Sequence, residues 1–290
     1  MANQEKRAEA LIAEAHKKMN PSGFLSVFSS PRFDEGAELL AKAANAYKIA
    51  KKWDKAGDTY CKAAKAHMQA RYGHEAATCY INASHVYKKC NIDKARECLE
   101  KGITFYTEEG RFSMAAKYQK EVAEMCEEAN DISAAMDAYQ TAAEYYEGES
   151  AVSSANQCLL KVAHHAALEE DYDRAVEIYE KVASSSLDNK LLKYGVKEHF
   201  LKAAICHLAT GDAVVARRAL EKYQDMDFSF SSTRECTFLT ALVDAFENFD
   251  IEGFTNAIVE FDSIQTLDNW KTTILLRVKK TIKDEDPTIC

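Results

Sequence analysis

One alanine recurs at a nearly constant interval from residue 37 to residue 175, and this period limits the fold more tightly than any single motif. It stands at Ala37, Ala56, Ala76, Ala95, Ala115, Ala135, Ala155 and Ala175, at spacings of 19, 20, 19, 20, 20, 20 and 20. Seven residues after each comes another small or β-branched residue: Ala44, Ala63, Ala83, Gly102, Val122, Ala142, Val162 and Val182. Four residues after, a larger side chain is common, as in Tyr60, Tyr80, Leu99, Tyr139, Leu159 and Tyr179. Offsets of 0, 4 and 7 share one stripe of an α-helix. Twenty residues therefore make a helix of about four turns with a short connection, and forty make an antiparallel hairpin. With only 10 Gly and 3 Pro in 290 residues, little material remains for sheets and tight turns.

The segment Trp53-Asp54-Lys55-Ala56-Gly57-Asp58-Thr59-Tyr60 matches the opening of a tetratricopeptide repeat, although the period is longer than that repeat's. The expected fold is all-α: a TPR-like solenoid of antiparallel helical hairpins forming a twisted sheet, an architecture suited to binding extended surfaces. Strict alanine spacing ends after Ser184-Ser185-Ser186, and helical patterning continues to Tyr223. Beyond Asp225, Phe228, Phe230, Phe238, Leu242, Phe246, Phe249, Phe254, Ile258, Phe261 and Ile264 supply bulky core material without the alanine pattern. The expected division is a solenoid over 1–224 and a C-terminal helical bundle with an acidic tail over 225–290.

Chemistry is sparse. His74-Glu75 begins like H-E-x-x-H, but Thr78 stands where the second histidine is needed, and adjacent His164-His165 point about 100° apart on a helix. Neither a phosphate-cradling glycine loop nor G-x-S-x-G occurs, so a binding protein without cofactor or metal is expected rather than an enzyme. The nine cysteines include no C-x-x-C pair, and Cys61, Cys79, Cys98 and Cys158 read as reduced core residues. A net charge of -9 argues against a nucleic-acid partner. The opening Met1-Ala2-Asn3-Gln4-Glu5-Lys6-Arg7 leads into an Ala/Glu-rich helix instead of an apolar signal core, and a cytosolic protein is expected.

Offsets 2 and 6 from the alanine point to solvent. On alternate helices they carry Asp58 with Lys62, Glu97 with Lys101 and Glu177 with Lys181, which read as i,i+4 support. On the other helices, positions forty apart read Lys117, Gln157 and Lys197. Lys161 follows Gln157 by one turn, and Arg111 and Lys193 extend this local basic strip, partly offset by Glu121. An ordinary solvated face is the alternative. Phe24, Leu25, Val27 and Phe28 lie in a segment that Pro21, Gly23 and Pro31 keep from regular helix; they either cover the open end of the solenoid or meet a membrane. Asp244, Glu247, Asp250 and Glu252, then Asp284-Glu285-Asp286, make the C-terminal part acidic, suiting a basic partner or simply aiding solubility.

Several stretches resemble the soluble NSF attachment proteins, closer to the alpha/beta branch than to gamma. They include Gly110-Arg111-Phe112, Ser154-Ala155-Asn156-Gln157-Cys158-Leu159-Leu160-Lys161-Val162-Ala163, Leu191-Leu192-Lys193-Tyr194, Arg234-Glu235-Cys236, and the run from Leu267 to Arg277. The resemblance implies an adaptor, several copies of which wrap a SNARE four-helix bundle of the syntaxin class, recruit the hexameric ATPase NSF and lie weakly on the membrane. It implies SNARE-facing roles for Arg111, Lys117, Lys161, Lys193, Lys197 and Arg234, a membrane-contacting loop at Phe24, Leu25, Val27 and Phe28, and NSF-facing roles for Asp244, Glu247, Glu285, Asp286 and Ile289. Gln157 departs from the family's lysine, and Ile289 from its penultimate leucine. The competing reading is a TPR-like peptide clamp of the co-chaperone type, which needs basic side chains converging in a tight groove.

Overall fold

In the computed structural model, residues 2–21 and 31–285 are described, and the regular structure among them is helical. The chain divides into two compact units, within 1–150 and within 151–290. The first holds α1 (Ala2–Met19), α2 (Phe33–Ile49), α3 (Trp53–Gln69), α4 (Gly73–Tyr87), α5 (Ile92–Glu108), α6 (Phe112–Glu128) and α7 (Ile132–Gly148), each packed on the next. The second holds α8 (Val152–Leu168), α9 (Tyr172–Leu187), α10 (Lys193–Ala209), α11 (Ala213–Met226), a short 3-10 turn at Phe230–Ser232, α12 (Arg234–Glu247), α13 (Ile251–Ile264) and α14 (Asn269–Glu285).

The alanine register is the packing register. All eight repeat alanines are buried, as are the offset-7 residues and the six large offset-4 side chains named above. Small residues here allow close approach rather than merely favouring helix. A Cβ on Gly57 of α3 would lie 2.5 Å from the Tyr87 ring at the end of α4, and one on Gly102 of α5 would lie 2.6 Å from Ile81 Cδ1.

Helix ends follow the same period. Asn91, Asp131 and Asp171 are N-caps whose side chains accept from the backbone N–H groups of Lys94, Ala134 and Arg174; Asp212 does the same for Val215. At the C-termini the chain turns through left-handed residues at Lys51, Arg71, Gly110, Asn130, Ser150, Glu170 and Gly211. The residue after several of them donates back into the last turn, as Arg111 does to the Tyr106 carbonyl at 2.7 Å. One backbone device thus recurs at the ends of α2, α3, α5, α6, α7, α8 and α10.

The second unit begins on the alanine pattern and ends on aromatic packing. Phe200 of α10 stacks on Tyr223 of α11 at 4.5 Å and meets Phe230 edge-on at 5.3 Å; Phe238 of α12 stacks on Phe261 of α13 at 4.2 Å. Helix α14 returns to α10 and α8. Trp270 donates to the His164 carbonyl at 3.1 Å, and Arg277 donates to the Ala167 and Leu168 carbonyls, satisfying the C-terminus of α8. Aromatic packing therefore begins at α10, inside the second unit. Three expected core residues are not core: Phe228 is 84% exposed, Ile264 59% and Phe249 38%. Phe228 follows the end of α11 and precedes the 3-10 turn that buries Phe230 instead; Phe249 occupies a left-handed position past α12, and Ile264 ends α13.

Candidate partner-binding surface

Helix geometry places the expected cationic residues outward. Arg111 is the residue before α6 and Lys117 lies two positions after the buried Ala115; both are exposed. Arg111 leans on its neighbours, its guanidinium 2.6 Å from His74 Nδ1 and 5.8 Å from the centre of the Tyr106 ring. Glu121 does not neutralise Lys117 as its spacing suggested, because its carboxylate meets His85 Nε2 at 3.1 Å. Asp58 likewise passes over Lys62: it accepts from the Tyr87 hydroxyl at 2.5 Å and lies 3.7 Å from Lys94 Nζ. Glu97 and Lys101 do pair, at 2.5 Å.

In the second unit Gln157 and Lys161 are exposed on α8, Lys193 and Lys197 on α10, and Arg234 at the start of α12. Lys193 and Lys197 line an open hollow of about 560 Å³ with Lys190, Tyr194, Asp227 and Phe230. Lys197 Nζ is 2.9 Å from Glu235, whose carboxylate is buried, and Lys193 Nζ is 3.5 Å from Asp227. Burial works against the Asp227 carboxylate, yet hydrogen bonds from Ser229 and the Lys193 charge hold it below its ordinary pKa. The two lysines are thus held by acids while about half of each side chain, 49%, stays exposed. Leu191 and Tyr194, 88% and 86% exposed, add apolar surface beside the charge. Sequence spacing did not assign roles to Glu235, Lys190 or this apolar rim; Glu235 stands next to the basic residue Arg234, and its burial follows only from where α12 starts.

The acidic residues differ. Asp244 and Glu247, one turn apart on α12, both accept from Arg217 of α11, at 2.5 Å and 2.6 Å. They form a braced triad rather than two loose carboxylates. Phe24, Leu25, Val27, Phe28, Asp286 and Ile289 lie outside the described residues, and Glu285 ends α14.

Other constellations resolve structurally. His164 stacks on Trp270 at 6.2 Å, and burial, with His165 and the Lys202 and Lys161 charges, pushes its pKa down to about 4, so it is neutral near pH 7. Among the described residues no group of three His, Cys, Asp or Glu side chains is arranged to hold a metal ion, and no helix is long and apolar enough to cross a membrane.

Such a chain, with a helical-hairpin core and outward lysines braced by acids, is of the scaffold class that engages other macromolecules. Family comparison narrows this. The soluble NSF attachment protein family, SNAP, matches residues 6–283, and the chain belongs to it. It is 44% identical to the human alpha-soluble NSF attachment protein over 292 residues, covering 99% of each chain. It is 45% identical to the bovine beta-soluble NSF attachment protein, covering 98% of this chain and 96% of that one. It is 43% identical to the vesicular-fusion protein SEC17 of Coprinopsis cinerea, covering 96% of each.

Proposed function

We propose that this chain is an adaptor that binds SNARE complexes through basic surface residues and recruits and stimulates the NSF ATPase for their disassembly in vesicle traffic and membrane fusion. The observation that carries the reading is near full-length family membership, joined to the outward placement of all six cationic residues. Arg111, Lys117, Lys161, Lys193, Lys197 and Arg234 contact an acidic SNARE four-helix bundle of the syntaxin class. Most of that contact belongs to residues 1–224. Residues 225–290 engage the NSF hexamer through Asp244 and Glu247, held by Arg217, and through Glu285, Asp286 and Ile289. Phe24, Leu25, Val27 and Phe28 add weak, peripheral membrane contact to a cytoplasmic protein, effective when several copies act together.

The deciding experiment is a pull-down with purified SNARE complex at about 0.15 M salt, where charges beyond roughly 8 Å are screened. Lys117→Glu with Lys161→Glu abolishes capture while the circular dichroism spectrum is unchanged. Full capture by the double variant would remove these residues from the interface.

A further inference from the structure

Two thiols that the adaptor reading does not use meet inside the first unit. Cys61 of α3 and Cys98 of α5 are 37 residues apart in sequence, yet their Sγ atoms are 3.4 Å apart. The two helices are also clamped at one end, where Lys94 of α5 lies 2.9 Å from Asp54 and 3.7 Å from Asp58 of α3. A disulfide has its sulfurs at about 2.05 Å, so closure asks for an approach of about 1.4 Å, within reach of small χ1 rotations on two unbranched side chains.

The sites differ in access. Cys98 is buried, while Cys61 is half-buried at the edge of a cluster containing Cys79 and Tyr80. They also differ in acidity. The hydrogen bond shared with Cys98 lowers the Cys61 pKa against the opposing effect of burial, with Lys101 and Lys65 assisting, whereas the same bond and burial raise that of Cys98. A half-buried sulfur with a lowered pKa beside a buried partner is the division of labour of an attacking and a resolving cysteine.

We propose that Cys61 and Cys98 are a modification site that closes reversibly into a disulfide when a small hydroperoxide oxidises the protein. The Cys61 thiolate attacks a peroxide oxygen, the O–O bond breaks, and hydroxide leaves with a sulfenic acid on Cys61. Cys98 gives up its proton and attacks the Cys61 sulfur; the S–S bond forms, the S–O bond breaks and water leaves. Two thiols and one hydrogen peroxide give one disulfide and two waters. The bond closes a loop that contains all of α4, Gly73–Tyr87, and staples α3 to α5. A small-molecule thiol reverses it by exchange.

The test uses the full chain treated with about one equivalent of hydrogen peroxide. Peptide mapping finds a Cys61–Cys98 link, and intact mass falls by about 2 Da and is restored by dithiothreitol. Amide exchange within α4 slows about tenfold in the oxidised form, because opening that segment now meets a covalent loop. In Cys98→Ser the sulfenic acid on Cys61 persists and is captured by dimedone. Oxidation confined to the exposed Cys90, a Cys61–Cys79 link, or no dimedone adduct on Cys61 in Cys98→Ser would each overturn the assignment.

Discussion

The first unit and the end of the second solve the packing of helices by opposite means. In α2–α7, alanine and glycine bring helix backbones close, and tyrosines fill the remaining space at fixed offsets. In α10–α14, Phe200, Tyr223, Phe230, Phe238 and Phe261 hold the helices together by ring contacts that follow no sequence period. The first solution repeats and can be extended helix by helix. The second is a particular jigsaw, with α14 returning to close it.

The largest effect should come from a void in the aromatic part. Phe200→Ala removes a fully buried ring that touches Tyr223 and Phe230, and it should cost about 3–5 kcal/mol in denaturant unfolding. Phe228→Ala is the control: its ring is exposed, and the change should stay within about 0.5 kcal/mol. Equal costs would mean that the aromatic cluster is not the unit's core.

In the first unit the sensitive direction is addition rather than removal. Gly57→Ala places a methyl group against a Tyr87 ring that is buried and hydrogen-bonded to Asp58, so the ring cannot simply swing away. A loss of about 1–3 kcal/mol is expected, opposite in sign to the usual gain of Ala over Gly in a helix. A stabilised variant in thermal or denaturant unfolding would show that α3 and α4 are not in such close contact.

These contrasts also mark what could be read from sequence. The alanine stripe was legible because burial on one helix face repeats every twenty residues, and each repeat confirms the last. The N-caps Asn91, Asp131 and Asp171 also lie forty apart, in step with the hairpin period, and are assigned from the structure. Phe228, Phe249 and Ile264 were misplaced because size alone says core, whereas the turns after α11, α12 and α13 decide which aromatic or aliphatic side chain points inward. Outward positions of Lys117 and Lys197 followed from their distance to the stripe. Partners did not: Asp58 chooses Lys94 and Tyr87, Glu121 chooses His85, and Asp244 with Glu247 chooses Arg217, all on other helices and invisible to an i,i+4 rule.

Acid should separate the units further. In the second, burial pushes the pKa of His199 down to about 4, as it does that of His164, so the unfolded chain takes up these protons first. Stability contributed by the neutral rings is full above about pH 6.5 and is lost as pH falls toward 4. Glu180 continues the trend. The nearby His207 ring at 3.8 Å, opposed by burial and aided by hydrogen bonds from Lys222 and Tyr223, lowers its pKa to about 2, so its contribution is present above about pH 4.5 and fades from there toward pH 2. After allowance for solvent screening of these part-exposed groups, the loss between pH 7 and 4 should be on the order of 1–2 kcal/mol. Hydrogen exchange resolved by segment should show α8–α10 loosening before α2–α7; the reverse order would contradict the assignment.

The smallest predicted effect concerns the reversals between helices in the first unit, which use both glycine and ordinary residues for the same backbone state. Gly110 has φ +70°, and an added Cβ would meet no described atom within 4 Å, so Gly110→Ala changes backbone strain without creating a clash. Its expected cost is about 1 kcal/mol, the usual penalty of a Cβ in the left-handed region. Lys51 already bears that penalty at φ 58° on an exposed turn. Lys51→Gly relieves it, while the more flexible unfolded chain takes back part of the gain, leaving up to about 0.5 kcal/mol of stabilisation. The two substitutions should therefore shift the denaturation midpoint in opposite directions with the slope unchanged. A loss of stability in both variants would mean that Lys51 contributes through its side chain, and that the turns of this repeat are not interchangeable after all.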